Sequence, residues 1–334
     1  MVSALARWLP KLGAVPWAPL GTWPTPLEHA RGDVWVKREG ASSPRYGGNK
    51  VRTLEAWLGH AQSIGARRIW AIGAYGSNHA IATVVHARAL GLDAGVILFP
   101  QAPSKWAAEN AGALIASGCE VVRLRSVVEV PFAGFVKARR ELVMPPGGAT
   151  PTGTLGAMSA AFELAEQIEA NLAPPPERIV LAVGSTCTTA GLLAGLQLAR
   201  AAGVWRWPVP IVHAVRVTPW PVTSRLLITQ LAARSLARVA RLGGPSVKVD
   251  PSRLVVDARE LGRGYGRITD RARAALGSLP VRLDGVYSAK AAAALGRMTG
   301  PTIFWATKSE VLLPAPALGA LRNAAPALAK WLLK

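Results

Sequence analysis

Three observations predict an α/β fold of parallel sheets flanked by helices for this 334-residue chain. Short runs rich in β-branched residues alternate with longer stretches of helical periodicity, the pattern of strands joined by crossover helices. Half of the residues are hydrophobic and only 17% are charged, which is too apolar for a disordered chain and enough for one large or two moderate cores. Loops rich in proline and glycine at Met144–Thr154 and Ala173–Glu177 break the pattern, and point to two α/β domains in place of one continuous sheet.

Taken in order, Arg52–Ile64 reads as a helix with Leu54, Trp57, Leu58 and Ala61 on one face, followed by the strand Arg68–Ala74 (RIWAIGA). Asn78–Leu90 is a helix with Ile81, Val84, Val85 and Ala89 turned inward and Gly91 as its stop. Strands Ala94–Phe99 and Cys119–Leu124 enclose a helix at Lys105–Ser117. A helix at Leu155–Asn171, a strand at Arg178–Val183, a helix at Ala190–Ala202 and a strand at Ile211–Val217 follow. Helices at Val222–Arg241, Ala289–Met298 and Ala317–Leu333, with a strand at Thr302–Trp305, complete the pattern. No internal repeat or low-complexity tract interrupts it.

The charge raises nucleic acid as a partner, because 39 basic residues against 19 acidic ones leave +20. Arg67, Arg68, Arg123, Arg125, Arg139, Arg140, Arg234, Arg238, Arg241, Arg271 and Arg273 are nevertheless scattered among apolar residues, with no basic arm or zinc-finger spacing. A solvated basic surface explains them better than specific nucleic-acid binding, and an anionic substrate or cofactor needs only local positive charge. Cys119 and Cys187 have neither a disulfide framework nor a metal-ligand spacing, so a cytoplasmic protein without a metal is expected. Arg7, Pro10 and Lys11 interrupt the apolar start, leaving no signal-peptide core, and no apolar run is long enough to span a membrane.

In parallel α/β sheets, ligands sit beyond the carboxyl ends of the strands, where helix N-termini present free amides. Three segments occupy such positions: Gly47-Gly48-Asn49-Lys50, Gly76-Ser77-Asn78-His79, and Gly184 through Gly191 (GSTCTTAG). The third is either an anion cradle or an ordinary capped turn. It is neither a Walker loop nor GxGxxG, which removes support for nucleoside-triphosphate chemistry. Lys50, at a glycine-rich turn, is a lysine whose pKa desolvation can lower, and a neutral amine forms a Schiff base with an aldehyde. Pyridoxal phosphate is a cofactor that needs both such a lysine and a phosphate cradle.

The chain resembles the fold-type-II pyridoxal-phosphate enzymes of the D-cysteine desulfhydrase and 1-aminocyclopropane-1-carboxylate (ACC) deaminase family. The resemblance runs through PTPLE at Pro24–Glu28, VKRE at Val36–Glu39, GGNKVRTLE at Gly47–Glu55 and SNH at Ser77–His79. It continues through the glycines and TLG of Gly147–Gly156, the Thr-Ala-Gly end of the third loop, GYG at Gly264–Gly266 and LDGVYSAK at Leu283–Lys290. It implies a two-domain, tryptophan synthase β-like architecture. A small α/β domain at residues 53–160 would be inserted in a large cofactor-binding domain of residues 1–52 and 161–334, with the site between them. A homodimer is implied by the same analogy.

The resemblance makes Lys50 the Schiff-base lysine that also carries the substrate proton, and assigns Asn78 to the phenolic oxygen of the cofactor. Ser77 with the amides of Asn78 and His79 would hold the substrate carboxylate. Ser185, Thr186, Cys187, Thr188 and Thr189 would hold the phosphate. Tyr265 and Tyr287 would serve as acid, base or positioning groups, and Ser288 would meet the pyridine nitrogen. Ser288 stands where ACC deaminases are expected to carry Glu and desulfhydrases Thr. The implied activity is therefore a lyase reaction, β-elimination from a small amino acid such as cysteine to pyruvate, ammonia and sulfide. ACC deamination, another lyase or β-replacement reaction of the same fold, or simple binding of pyridoxal phosphate or nucleic acid are the alternatives.

The chain departs from the family pattern at several positions. KRDD reads Lys37-Arg38-Glu39-Gly40, a lysine three positions after Lys50 is replaced by Thr53, and Gly76, Ala80 and Ile81 flank SNH. The late HTGG loop reads Ala306-Thr307-Lys308-Ser309. His86, seven residues after His79, is expected to pack and not to ligate, and Trp205 and Trp207 to lie in the core or at a subunit contact. Cys187 sits at a helix start, where a thiol can be reactive, but the phosphate role accounts for its loop better.

Overall fold

The computed structural model describes residues 3–137, 141–316 and 326–332. Its strands are β1 (Leu27–Arg31), β2 (Val34–Arg38), β3 (Arg68–Ala74), β4 (Asp93–Phe99), β5 (Glu120–Arg123), β6 (Leu142–Met144), β7 (Arg178–Val183), β8 (Ile211–Arg216), β9 (Leu254–Asp257) and β10 (Thr302–Ala306). Its helices are α1 (Ala4–Trp8), α2 (Lys50–Ser63), α3 (Asn78–Ala89), α4 (Lys105–Ala116), α5 (Val130–Lys137), α6 (Leu155–Glu169), α7 (Cys187–Ala201), α8 (Arg225–Arg241), α9 (Asp270–Ala274), α10 (Ser288–Leu295) and α11 (Pro326–Leu332). Of the helix expected at Ala317–Leu333, residues 317–325 and 333 lie outside the described residues, as do Arg139 and Arg140.

Two sheets form. One has the order β5-β4-β3-β6 and is parallel throughout; the other has the order β1-β2-β10-β7-β8-β9 and is parallel except for the β1/β2 hairpin. Helices on both faces explain the unbroken apolar strands, since every residue of β3 after Arg68 and every residue of β10 is buried. Serine side chains accept free first-turn amides of four helices: Ser3 from Ala6 N, Ser77 from Ala80 N, Ser104 from Ala107 N and Ser224 from Leu227 N. The expected stop of α3 is a left-handed Gly91 (φ +74°), with Leu92 N returning to the Ala87 carbonyl.

In each sheet the strand order reverses at one place. The chain runs outward from β3 to β4 and β5 and then returns to the other side of β3 as β6. It runs from β7 to β8 and β9 and returns as β10. Parallel sheets leave a crevice at the carboxyl ends of such a switch point. The β3/β6 and β7/β10 ends are where the loops Tyr75–Ser77, Pro146–Gly148, Gly184–Thr186 and Thr307–Ser309 emerge.

Helix α6 packs on α7 and α1 in the core of the larger sheet, with Leu155, Met158 and Ala160 all in that core. Residues 155–160, placed with the small domain by the sequence, therefore sit with the large sheet, because α6 buries its apolar face there. Helix α2 belongs to both cores, with Ala56 in one and Leu54, Trp57, Leu58 and Ala61 in the other. Trp205 is fully buried against Trp207, ring centroids 5.7 Å apart.

Candidate active site

The two switch points open onto one cavity of about 660 Å³, the size of a pocket for a cofactor with a small substrate. Lys50, Ser77, Asn78, His79, Ser185 through Thr189, Tyr265 and Tyr287 all line it. The sequence distributes these residues over more than two hundred positions; the fold brings them together at strand ends and helix starts.

Lys50 opens α2, and its Nζ lies 3.4 Å from Ser185 Oγ. Burial lowers its pKa, which favours the neutral amine. What fixes this end of α2 is a buried network the sequence reading did not find. Arg52 donates to Glu39 (2.6 Å) and Glu163 (2.9 Å), and Lys37 pairs with the same Glu163 and donates to Gln167 (2.7 Å). Burial opposes the Glu163 charge, but Arg52 and Lys37 outweigh it and hold that carboxyl at about 2. The KR-E sequence at 37–39 thus serves to anchor the helix that presents the lysine.

Between β7 and α7, Thr186 adopts φ +66°, a left-handed conformation that costs a threonine energy and marks a tightly specified turn. This turn lets α7 begin at Cys187, earlier than the expected Ala190, and aims its first amides at the cavity. Asn49 Nδ2 donates to Thr188 Oγ1 (2.8 Å), tying the lysine segment to the cradle. Gly147 (φ +67°) closes the other side; a Cβ there would lie 1.9 Å from Ser185 Oγ and 3.4 Å from Lys50 Nζ. Cys187 Sγ points to Thr53 Oγ1 (3.8 Å) and the Gly148 carbonyl (3.5 Å), and burial raises its pKa, so it is a packed thiol and not a nucleophile.

The second helix start carries Ser77, Asn78 and His79. Neither ring nitrogen of the buried His79 has a partner among the described residues, and burial together with Lys50 pulls its pKa to about 3. It is a neutral imidazole. His86 behaves as expected of a packing residue, its Nε2 donating to the Tyr46 carbonyl (2.8 Å). On the large-sheet side, the hydroxyls of Tyr265 and Tyr287 are 2.5 Å apart. Burial pushes Tyr265 up to about 12 and raises Tyr287 well above its ordinary value, so both hydroxyls keep their protons at neutral pH.

Ser288 is placed differently from the expectation. It is not among the cavity-lining residues. Its hydroxyl accepts from Asp284 N (2.6 Å) and donates to Asp284 Oδ2 (3.0 Å), while Asp284 Oδ1 accepts from Val286 N (2.9 Å) and Tyr287 N (2.7 Å). The start of α10 is buried, and its polar groups must be satisfied internally. That need holds Ser288 on Asp284. No Asp or Glu lines the cavity among the described residues. Tyr46, Asn110 and Thr218 at or behind the wall carry no sequence signal of their own, while Thr307 and Lys308 belong to the Ala306–Ser309 loop that departs from HTGG.

The arrangement fits pyridoxal phosphate: a buried amine for its aldehyde, a helix N-terminus with hydroxyls for its phosphate, and an amide side chain for its ring oxygen. A family model described as pyridoxal-phosphate dependent enzyme matches residues 18–303. The chain is 35% identical to nocardicin C-9' epimerase of Nocardia uniformis subsp. tsuyamanensis over 336 residues, covering 91% of this chain and 98% of that one. It is 31% identical to a putative ACC deaminase of Pyrococcus horikoshii, covering 87% of each, and 31% identical to D-cysteine desulfhydrase of Klebsiella pneumoniae strain 342, covering 52% and 58%. The crystal structure of an ACC deaminase homologue superposes with a TM-score of 0.73 at 26% identity, covering 97% of this chain and 98% of that one. The chain belongs to the fold-type-II pyridoxal-phosphate dependent enzymes and is an enzyme whose cofactor is pyridoxal phosphate.

Proposed function

We propose that this enzyme is a lyase that removes the α-proton of a small amino acid and expels its β-substituent, as in D-cysteine desulfhydration to pyruvate, ammonia and sulfide. When bound, pyridoxal phosphate supplies the electron sink that makes an α-proton acidic. The observation that carries the reading is a cavity holding a desolvated amine and two protonated phenols, with no acidic side chain in its lining among the described residues. Lys50, neutral when desolvated, takes the α-proton. The first amides of α3, with Ser77, hold the substrate carboxylate at a helix N-terminus. Ser185 through Thr189 hold the phosphate at the start of α7, and Asn78 meets the ring oxygen. Tyr265 or Tyr287 gives its proton to the departing thiolate. The absence of an acid from the lining favours loss of an ordinary leaving group over opening of a cyclopropane; relatives of both kinds are 31% identical to the chain, the putative ACC deaminase over 87% of it and the D-cysteine desulfhydrase over 52%.

A second reading, epimerisation at an amino-acid α-carbon, is favoured by the epimerase that matches along nearly its whole length. Here Lys50 and the tyrosine pair would handle the same proton on two sides of the substrate. Two buried free cysteines support a reducing, cytoplasmic setting, and the exposed run Trp220, Val222, Leu226 and Leu227 supports a homodimer contact. Among the described residues no helix is long and apolar enough to cross a membrane.

The experiment is a visible spectrum followed by a product screen. A yellow protein whose band disappears in Lys50→Ala is expected, with keto acid released from cysteine or β-chloroalanine. Tyr287→Phe should lower kcat by about 100-fold or more if its proton is used. Release of 2-oxobutyrate from ACC alone would overturn the elimination reading. Inversion with solvent deuterium incorporated at the α-carbon and no keto acid would establish the second.

A further inference from the structure

The loop after β10 carries a lysine that the chemistry above does not use. Lys308 is 3% exposed, and its Nζ donates to Asn78 Oδ1 (3.0 Å), Asn110 Oδ1 (3.3 Å) and Tyr46 Oη (3.5 Å). All three acceptors are neutral. The charged groups nearest to it are already engaged: Glu109 of α4 accepts from Arg282 (2.6 Å), and Asp284 holds the backbone amides of Val286 and Tyr287. Lys308 forms no ion pair among the described residues, and burial lowers its pKa against the pull of Asp284 and Glu109. A buried cation without a counter-ion is costly, so its retention calls for a compensating role.

Asn78 Oδ1 supplies the second half of the argument. It accepts from Lys308, from Asn110 Nδ2 (2.9 Å) and from Tyr46 Oη (3.0 Å). Asn110 Nδ2 is fixed by its bond to the Gly76 carbonyl (2.9 Å) and can only donate, so the Asn78 atom facing it and Lys308 is the amide oxygen, and Nδ2 is turned the other way. Asn78 lines the cavity, and its Nδ2 has no partner among the described residues.

We propose that Lys308 is a positioning residue that locks the Asn78 amide with its N–H groups toward the cavity and places a cation directly behind the donor to an anionic ring oxygen. This rests on the reading of the cavity as the pyridoxal-phosphate site. The bound oxyanion is the counter-charge the protein does not provide. Polarised from behind, the amide is a stronger donor and favours the unprotonated form of the cofactor chromophore.

The test compares the holoenzyme with Lys308→Gln, which keeps a donor without the charge, and Lys308→Met, which keeps neither. The readouts are the pH midpoint of the visible band and the cofactor dissociation constant. Both variants should shift the midpoint upward, and Lys308→Met should bind the cofactor about tenfold or more weakly, the scale of a lost charge-assisted hydrogen bond. Lys308→Gln should recover affinity but not the midpoint. Wild-type midpoints in both variants, with only thermal stability lost, would overturn the proposal. If Lys308→Met does not fold, the Lys308→Gln midpoint decides. A wild-type protein that stays colourless after reconstitution would overturn the cofactor reading itself, a separate outcome.

Discussion

Glu55, one turn beyond Lys50 on α2, offers a quantitative test of how the helix is held. One carboxylate oxygen, Oε1, accepts from Leu20 N (3.3 Å), Gly21 N (3.1 Å) and Trp23 Nε1 (2.9 Å), clamping the N-terminal segment to α2. Burial raises this carboxyl from 4.5 to about 7, against the opposing effect of those three bonds. Between the two values the folded protein holds a proton that the unfolded chain has lost. The stabilising contribution of this group is therefore complete below 4.5 and is lost as pH rises through about 7. At about 1.36 kcal/mol per pH unit, the loss amounts to about 3 kcal/mol. In Glu55→Gln a neutral amide oxygen accepts the same three bonds at every pH. The variant should match wild type at pH 5 and exceed it at pH 8 by an amount equivalent to about 4 °C in Tm for a chain this long. Thermal unfolding of both proteins at the two pH values measures it. An equal Tm difference at pH 5 and pH 8 would refute the reasoning, because a pure packing effect has no such pH dependence.

Two further outcomes follow from the same region. Arg52→Met removes the partner shared by Glu39 and Glu163, and unpaired buried charge of this kind costs about 3–5 kcal/mol. Denaturant unfolding should show a loss on this scale, partly recovered in the double variant with Glu39→Gln because Glu163 keeps Lys37, and a change under about 1 kcal/mol would contradict a paired network. Gly147→Ala puts a methyl group 1.9 Å from Ser185 Oγ at a φ of +67°. It should abolish the visible cofactor band while far-ultraviolet circular dichroism stays close to wild type; a yellow Gly147→Ala protein of unchanged cofactor affinity would refute the tight approach.

The central parallel strands were readable because burial on both faces leaves an unbroken apolar run, and β3 and β7 coincide with the expected Arg68–Ala74 and Arg178–Val183. The β1/β2 hairpin escaped because its strands are half exposed. Gly32-Asp33 between them, with Gly32 at φ +48°, is the two-residue turn signal that could have found it. The three-residue β6, bounded by Pro145, and the short β9 carry too few residues for periodicity to register. At the site, Lys50 and the two helix-start loops were legible from glycines, small hydroxyl residues and the family resemblance. Ser288 was carried over by analogy, but the need to satisfy Asp284 and the buried start of α10 claims its hydroxyl. Asn78 was read from its segment and Lys308 from its altered loop, but that Tyr46, Asn110 and Lys308 converge on Asn78 shows only in three dimensions, because they come from separate segments with no common spacing.

Helix α2 places Ala56 in one core and Leu58 in the other, with Lys50 at its head. Cofactor capture and folding therefore draw on the same free energy. A ligand bound at a hundred times its dissociation constant stabilises the native state by about 2.7 kcal/mol, and in this chain that gain is delivered to the helix on which both halves are assembled. Cofactor-free protein should then unfold at a lower temperature in both halves together, and substitutions deep in either core should register at the bench as loss of colour before loss of fold.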